Sequence, residues 1–219
     1  MSGDGYLHRH FLSNSGKRLH KWMHYFDIYE RHFERFRGRA PLVLEIGVYG
    51  GGSLEMWRGY FGPGSRIVGL DIDPACAAHV GDDIDVVIGD QGDPGRLADI
   101  LTRFGSPDIV IDDGSHKMAD MLASFRHLYP AVSDTGVYLV EDTHTCYWDE
   151  YGGGLRREGS FIEHAKVLVD DLNAVHARGA IDPTAFTQTT ESITFYDSVV
   201  VFEKRPQGKR QAPITEGMC

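Results

Sequence analysis

Cysteine is scarce and scattered in this chain of 219 residues. Cys76, Cys146 and Cys219 form neither a CxxC pair nor a disulfide-dense pattern, so a cystine-stapled scaffold is excluded and a reducing compartment is expected. Positive charge is in deficit too: 22 lysines and arginines stand against 32 acids, a net charge of −10. That balance argues against a nucleic-acid partner, because neutralising a phosphate backbone takes clustered cations. No run of eighteen apolar residues is present, and the opening "MSGDGYLHRH" has no apolar segment of the secretory type, so a cytoplasmic protein with no membrane insertion is expected. Internal repeats are missing as well. What remains is a globular composition, 42% hydrophobic and 25% charged, long enough for one well-buried α/β core.

Residues 17–37 place Leu19, Trp22, Met23, Phe26, Tyr29, Phe33 and Phe36 at helical spacing, with Gly38 as a stop. The pattern predicts a core-packing helix. Five apolar runs follow: "PLVLEIG" (41–47), "RIVGLDID" (66–73), "IDVVIGD" (84–90), "PDIVIDD" (107–113) and "GVYLVED" (136–142). Runs of this length, separated by polar helix-like stretches, read as βα units with a parallel sheet buried on both faces. "SITFYDSVVVFEK" (192–204) carries two further β-rich runs across a short Asp-Ser connection, an antiparallel hairpin at the sheet edge. The expected fold is α/β, a Rossmann-like, doubly wound, mainly parallel sheet of seven strands with a terminal antiparallel hairpin. Residues 1–39 form an amino-terminal helical cap segment, 40–205 the main domain and 206–219 a polar tail. Residues 1–15, the glycine-rich 150–160 and the chain from Pro206 read as loose.

All five parallel strands end in acid: Glu45, Asp71 and Asp73, Asp90, Asp112 and Asp113, Glu141 and Asp142. Open parallel sheets bind ligands at those ends. The first strand runs into "LEIGVYGGGS" (44–53). This is not a dinucleotide fingerprint, since Tyr49 stands where GxGxxG needs its second glycine, and no Lys-Ser/Thr follows to make a phosphate loop. The pattern E-x-G-x-x-G-G-G with acids at the following strand ends resembles the first motif of class I S-adenosylmethionine-dependent methyltransferases. That resemblance, over about 40–205, implies S-adenosylmethionine as cofactor. It places Glu45, Gly47, Tyr49, Gly50 and Ser53 along the methionyl and ribose side, with Asp71 and Asp73 at the ribose hydroxyls. Asp90 and Gln91 would lie near the adenine, and Asp112 would face the methionyl ammonium. For Asp71 a second reading stays open, a cap for the "PACAAH" segment that follows.

Methyl transfer from a sulfonium needs no acid on the leaving side, so Asp113 and Asp142 are surplus. Successive strand residues face opposite ways, which lets the pairs 112/113 and 141/142 each send one carboxylate to the cofactor and one to a neighbouring pocket. Converging carboxylates repel unless a cation lies between them, and hard oxygen donors suit Mg²⁺ better than zinc. His116 and His144, just after these acids, are candidate bases. "IDDGSH" (111–116) and "VEDTH" (140–144), together with "EIGVYGGGS", resemble the metal-dependent sugar O-methyltransferases of the macrocin and mycinamicin type. Their relatives include rhamnosyl methyltransferases and the small enzymes of mycobacterial methylmannose polysaccharide synthesis. The resemblance implies Mg²⁺ held by Asp113 and Asp142, with Glu141 or an acid such as Glu30 as a further ligand, and His116 as the base.

Tyr147, Trp148 and Tyr151, in a glycine-rich stretch after the fifth strand, offer aromatic faces to a sugar ring; local packing explains them equally well. The expected activity is Mg²⁺-dependent methylation of a hydroxyl on a sugar or oligosaccharide, a methylated mannoside of a polysaccharide among them. Natural-product tailoring, catechol-type methylation and a non-catalytic S-adenosylmethionine-binding protein are the competing readings. The apolar remainder of the first helix points to a homodimer.

Overall fold

The five apolar runs become the strands β1 (Leu42–Ile46), β2 (Arg66–Asp71), β3 (Ile84–Ile88), β4 (Ile109–Asp112) and β5 (Val137–Val140) in a computed structural model that describes residues 5–215. Cys219 and the end of the polar tail lie outside the described residues. Most strands stop one or two residues short of the predicted run, because the terminal acids leave the ladder. The hairpin consists of β6 (Thr190–Tyr196) and β7 (Val199–Lys204). The sheet order is β3-β2-β1-β4-β5-β7-β6. β1 to β5 pair in parallel, and β7 runs antiparallel to both β5 and β6. The order reverses between β1 and β4, so the crevice at their carboxyl ends is where a ligand is expected.

Among the described residues, seven α-helices cover the sheet: α1 (Tyr6–Leu12), α2 (Tyr25–Phe33), α3 (Gly52–Phe61), α4 (Pro94–Phe104), α5 (Met118–Leu128), α6 (Phe161–Asn173) and the short α7 (Ala185–Thr189). On one face, Val43, Ile109, Ile111, Val137 and Leu139 pack against the rings of Tyr25, Tyr29, Phe33, Trp57 and Phe61. On the other, Leu44, Ile46, Val110, Tyr138 and Val140 meet Leu97, Phe125, Leu128 and Phe161. Alternate residues of each strand therefore serve opposite cores. Each large buried apolar side chain stabilises by roughly 1.5–3 kcal/mol. Among the described residues no helix is long and apolar enough to cross a membrane.

The amino-terminal segment departs from expectation. Instead of one helix over 17–37 there is α2 with a 3-10 turn (Glu34–Phe36), and residues 13–24 form an irregular strap. Tertiary contacts override the helical period: Arg18 bridges to Gly51, and its carbonyl accepts the Gly52 N–H at 3.1 Å. Residues 6–12, within the stretch that reads as loose, are helical, their start held by a 2.7 Å bond from the Leu7 N–H to Glu30 Oε1. Glu30 is thereby committed to α1 and does not serve as an ion ligand.

Candidate active site

A cavity of about 530 Å³ opens at the carboxyl ends of the parallel strands, lined among others by Gly47, Tyr49, Asp71, Asp90, Gln91 and His116. Asp73, Asp113 and Asp142 line it as well. Asp71 Oδ2 accepts the N–H groups of Val48 (2.8 Å) and Tyr49 (3.0 Å), and Oδ1 accepts that of Asp73 (2.9 Å). Partial burial works against its charge, but these three backbone bonds outweigh it and hold the carboxyl below its ordinary range. The cap of the following 3-10 turn is Asp73, which accepts from Ala75 N–H at 2.9 Å, so Asp71 is free of that duty. Asp90 Oδ1 accepts the Gly92 N–H at 2.8 Å.

The glycines after β1 answer to the chain itself. A Cβ on Gly47, at φ +93°, would collide with the Asp113 carbonyl, and one on Gly50 would lie 2.6–2.7 Å from Arg18. The turn is glycine-rich so that the end of β4 and the strap can lie against it.

Asp112 is not on the cavity wall. It shares a side of β4 with Val110 and points into the second core, where Oδ1 accepts from Gln91 Nε2 (3.0 Å) and Oδ2 from Ser124 Oγ (2.6 Å) and Tyr138 OH (3.0 Å). Burial pushes its carboxyl up, against the pull of those donors. Gln91 in turn accepts the Ser115 N–H at 2.6 Å, so Asp112 sets the loop that carries His116. Glu45 and Ser53 are also off the wall: Ser53 Oγ donates to Glu45 Oε2 at 2.7 Å, both groups buried.

Asp113, His116 and Asp142 each present a donor atom, all within 4.8 Å of one another. His116 Nε2 is 3.8 Å from Asp113 Oδ1 and 3.6 Å from Asp142 Oδ2. The two carboxylate oxygens, no more than 4.8 Å apart, leave between them a point within reach of hard-cation bonds of roughly 2.0–2.6 Å, with the imidazole beside it. The donor set therefore fits a divalent ion. His116 and Asp142 adopt left-handed backbone, φ 57° and 51°, a conformation that costs non-glycine residues about 1–3 kcal/mol and clusters at functional sites. Tyr25 OH donates to Asp142 Oδ1 at 2.6 Å; burial, then this bond, drive its phenol well up.

Glu141 stands outside that triad. It faces the first core, as do Val137 and Leu139, and both its oxygens accept from Lys21 Nζ, at 2.9 and 3.0 Å. The same ammonium bonds Asp113 Oδ2 at 2.6 Å. Burial and the Asp113 charge push the Glu141 carboxyl well up despite Lys21. Burial alone would depress Lys21, but the surrounding acids hold it well above the ordinary lysine range. His144 shares a 2.5 Å hydrogen bond with Ser198 Oγ and lies 4.0 Å from Asp142 Oδ1. Its ring meets those of Trp148 and Trp22, with centroids 4.9 and 6.2 Å away, and Tyr151 lies 6.3 Å from His116. Lys21, Trp22 and Tyr25 are site-side residues that sequence reasoning had spent on a packing helix.

Sheet order, crevice and acid rim define a class I methyltransferase fold. No family model matches the chain, but curated relatives do. Demethylmacrocin O-methyltransferase of Streptomyces fradiae is 44% identical over 165 residues, 69% of this chain and 41% of its own length. The 8-demethyl-8-alpha-L-rhamnosyl tetracenomycin-C 2'-O-methyltransferase of Streptomyces olivaceus is 39% identical over 191 residues, 83% and 50%. Among solved structures, the MycE methyltransferase of the mycinamycin biosynthetic pathway, in complex with Mg, SAH and mycinamycin VI, superposes with a TM-score of 0.79 at 34% identity. That match covers 91% of this chain and 53% of MycE. The chain is thus a class I methyltransferase domain homologous to the macrocin, mycinamicin and tetracenomycin sugar O-methyltransferases. It spans about half the length of the curated relatives it matches.

Proposed function

We propose that the protein transfers a methyl group from S-adenosylmethionine to a hydroxyl of a sugar or oligosaccharide, in a reaction that depends on Mg²⁺. One observation carries this reading: Asp113, His116 and Asp142 converge on the wall of the cavity at the crossover of the sheet. The Mg and SAH present in the MycE complexes support both cofactors. Asp71, Asp90 and Gln91 would hold the adenosine part, since Asp71 Oδ1 makes a single backbone bond and keeps a lone pair to accept from a ligand hydroxyl. Gly47 and Tyr49 would line the methionyl part. Asp113 and Asp142 would hold the ion, leaving the imidazole free; Glu141, bound by Lys21, is adjacent to them.

A divalent ion so held supplies positive charge that orients neighbouring hydroxyls and favours loss of a proton. His116 Nε2 takes that proton as the acceptor oxygen gains the methyl group, and the flanking carboxylates stabilise the imidazolium that results. His144, tied to Ser198 and framed by Trp22 and Trp148, borders the acceptor side. The exposed rings of Trp22, Tyr147 and Trp148 suit the apolar face of a sugar.

For the acceptor we put first a mannoside of the kind methylated in polysaccharide biosynthesis. The L-rhamnosyl group in the name of the tetracenomycin relative shares the relative configuration of the mannose ring, in the opposite absolute series. The exposed Leu12 and Met23 support a homodimer, which sedimentation tests, and the proposed location is the cytoplasm. The deciding experiment is a panel of mannosides, rhamnosides, other glycans and phenols with methyl-labelled cofactor, with and without EDTA. Labelled sugar formed only with Mg²⁺ supports the proposal; methylation of phenols alone overturns it.

A further inference from the structure

Lys21 has no part in the steps above, yet it reaches more acids of the rim than any other side chain shown there. It rises from the strap with its side chain 3% exposed. Its Nζ lies 2.6 Å from Asp113 Oδ2, 2.9 Å from Glu141 Oε1 and 3.5 Å from Glu45 Oε1. β1 carries Glu45, Asp113 follows β4 and Glu141 follows β5, and these are three neighbouring strands of the sheet. A buried ammonium is costly unless acids compensate it, and here three carboxylates do. The strap is already anchored by the Arg18–Gly52 backbone bond, by Lys17 on Glu55 at 3.0 Å, and by the Arg18 guanidinium over the Tyr49 ring.

Two details tie Lys21 to the ion site. Asp113 is shared: Oδ2 is held by Lys21 while Oδ1 is the atom that faces His116. Glu45 Oε1 is fully buried and has no hydrogen-bond partner; Lys21 approaches it at 3.5 Å, while Ser53 holds the other oxygen. Three carboxylates around one point form the surroundings a second divalent ion would take if the lysine were not in place.

We propose that Lys21 is a positioning residue that acts as a tethered internal cation. It turns Asp113 Oδ1 toward the ion site and fills the adjoining pocket of Glu45 and Glu141, so that the rim accepts one divalent ion and not two. The inference rests on the reading of Asp113 and Asp142 as ion ligands.

The test is Mn²⁺ binding to the full chain without cofactor, followed by the electron paramagnetic resonance of free Mn²⁺, alongside kcat and KM with Mg²⁺. Wild type is expected to bind one Mn²⁺. Lys21→Met is expected to bind two, to weaken the first about 10–100-fold, the loss typical when a ligand's supporting partner is removed, and to lower kcat more than it raises the cofactor KM. Lys21→Arg is expected to restore single occupancy. A folded Lys21→Met that binds one Mn²⁺ with wild-type affinity and keeps its kcat overturns the inference alone. Wild type that binds no Mn²⁺ overturns the metal reading and the inference with it. If Lys21→Met does not fold, Lys21→Met/Glu141→Gln removes an acid with the ammonium. Weakened binding of a single Mn²⁺ then supports the positioning role, and unchanged affinity refutes it.

Discussion

At the ends of β2 and β3 the carboxylates are held by backbone N–H groups: Asp71 by Val48, Tyr49 and Asp73, Asp73 by Ala75, Asp90 by Gly92. At the ends of β4 and β5 the partners are side chains: Lys21 for Asp113 and Glu141, Tyr25 for Asp142, and Gln91, Ser124 and Tyr138 for Asp112. Backbone donors bring no net charge; they shape a wall that recognises a ligand by hydrogen bonds. Side-chain donors bring charge that falls short of the acids they face, since one ammonium serves Glu45, Asp113 and Glu141. On the proposed function, the first half of the rim suits an organic cofactor and the second a cation.

The largest expected effect breaks the second half alone. Chelation of divalent ions by EDTA should abolish methyl transfer and added Mg²⁺ should restore it, while calorimetry shows S-adenosylhomocysteine still binding. Loss of cofactor binding on chelation would merge the two halves. Next, His116→Ala should lower kcat by about 10²–10⁴-fold, the usual contribution of a positioned base, with cofactor affinity unchanged in the same calorimetry. The first half is addressed by Asp71→Asn, expected to weaken cofactor binding about 10–100-fold, as the loss of a charged hydrogen-bond acceptor of roughly 1.5–3 kcal/mol would, and to leave Mn²⁺ binding intact.

The smallest effect uses an acid held by side chains away from the rim. Glu203 is engaged by His32 and Arg35, whose hydrogen bonds lower its carboxyl to about 2. A lowered folded value means the stabilisation is complete above the ordinary glutamate range and fades as pH falls toward 2. Melting curves of wild type and Glu203→Gln should therefore differ by no more than about 1 kcal/mol near neutrality, given the group's partial exposure, and converge below pH 3.

The parallel strands were legible because strands buried on both faces are continuously apolar, and each predicted run contains its strand. Their acid ends were legible as a rim but not as to direction. Alternation sets Asp112 and Asp113 on opposite sides, yet which side meets the cavity depends on where α5 packs, and the Ser124 hydroxyl of α5 claims Asp112. The stripe over 17–37 misled because its period is right from Tyr25 onward and accidental before it. Lys21 and Tyr25 find their acids 92 to 120 residues further along, and no local pattern encodes a contact of that span.

The strap has a consequence for how the molecule is made. Residues 13–24 are made before the strands of this sheet, while Ser198, whose carbonyl accepts from Tyr25 OH, lies 173 residues downstream of that tyrosine. The loops that must close are among the longest the chain offers, and such closures are slow. Lys21 can therefore meet its three acids once Glu141 has been made, whereas the Tyr25–Ser198 contact waits for the hairpin of β6 and β7.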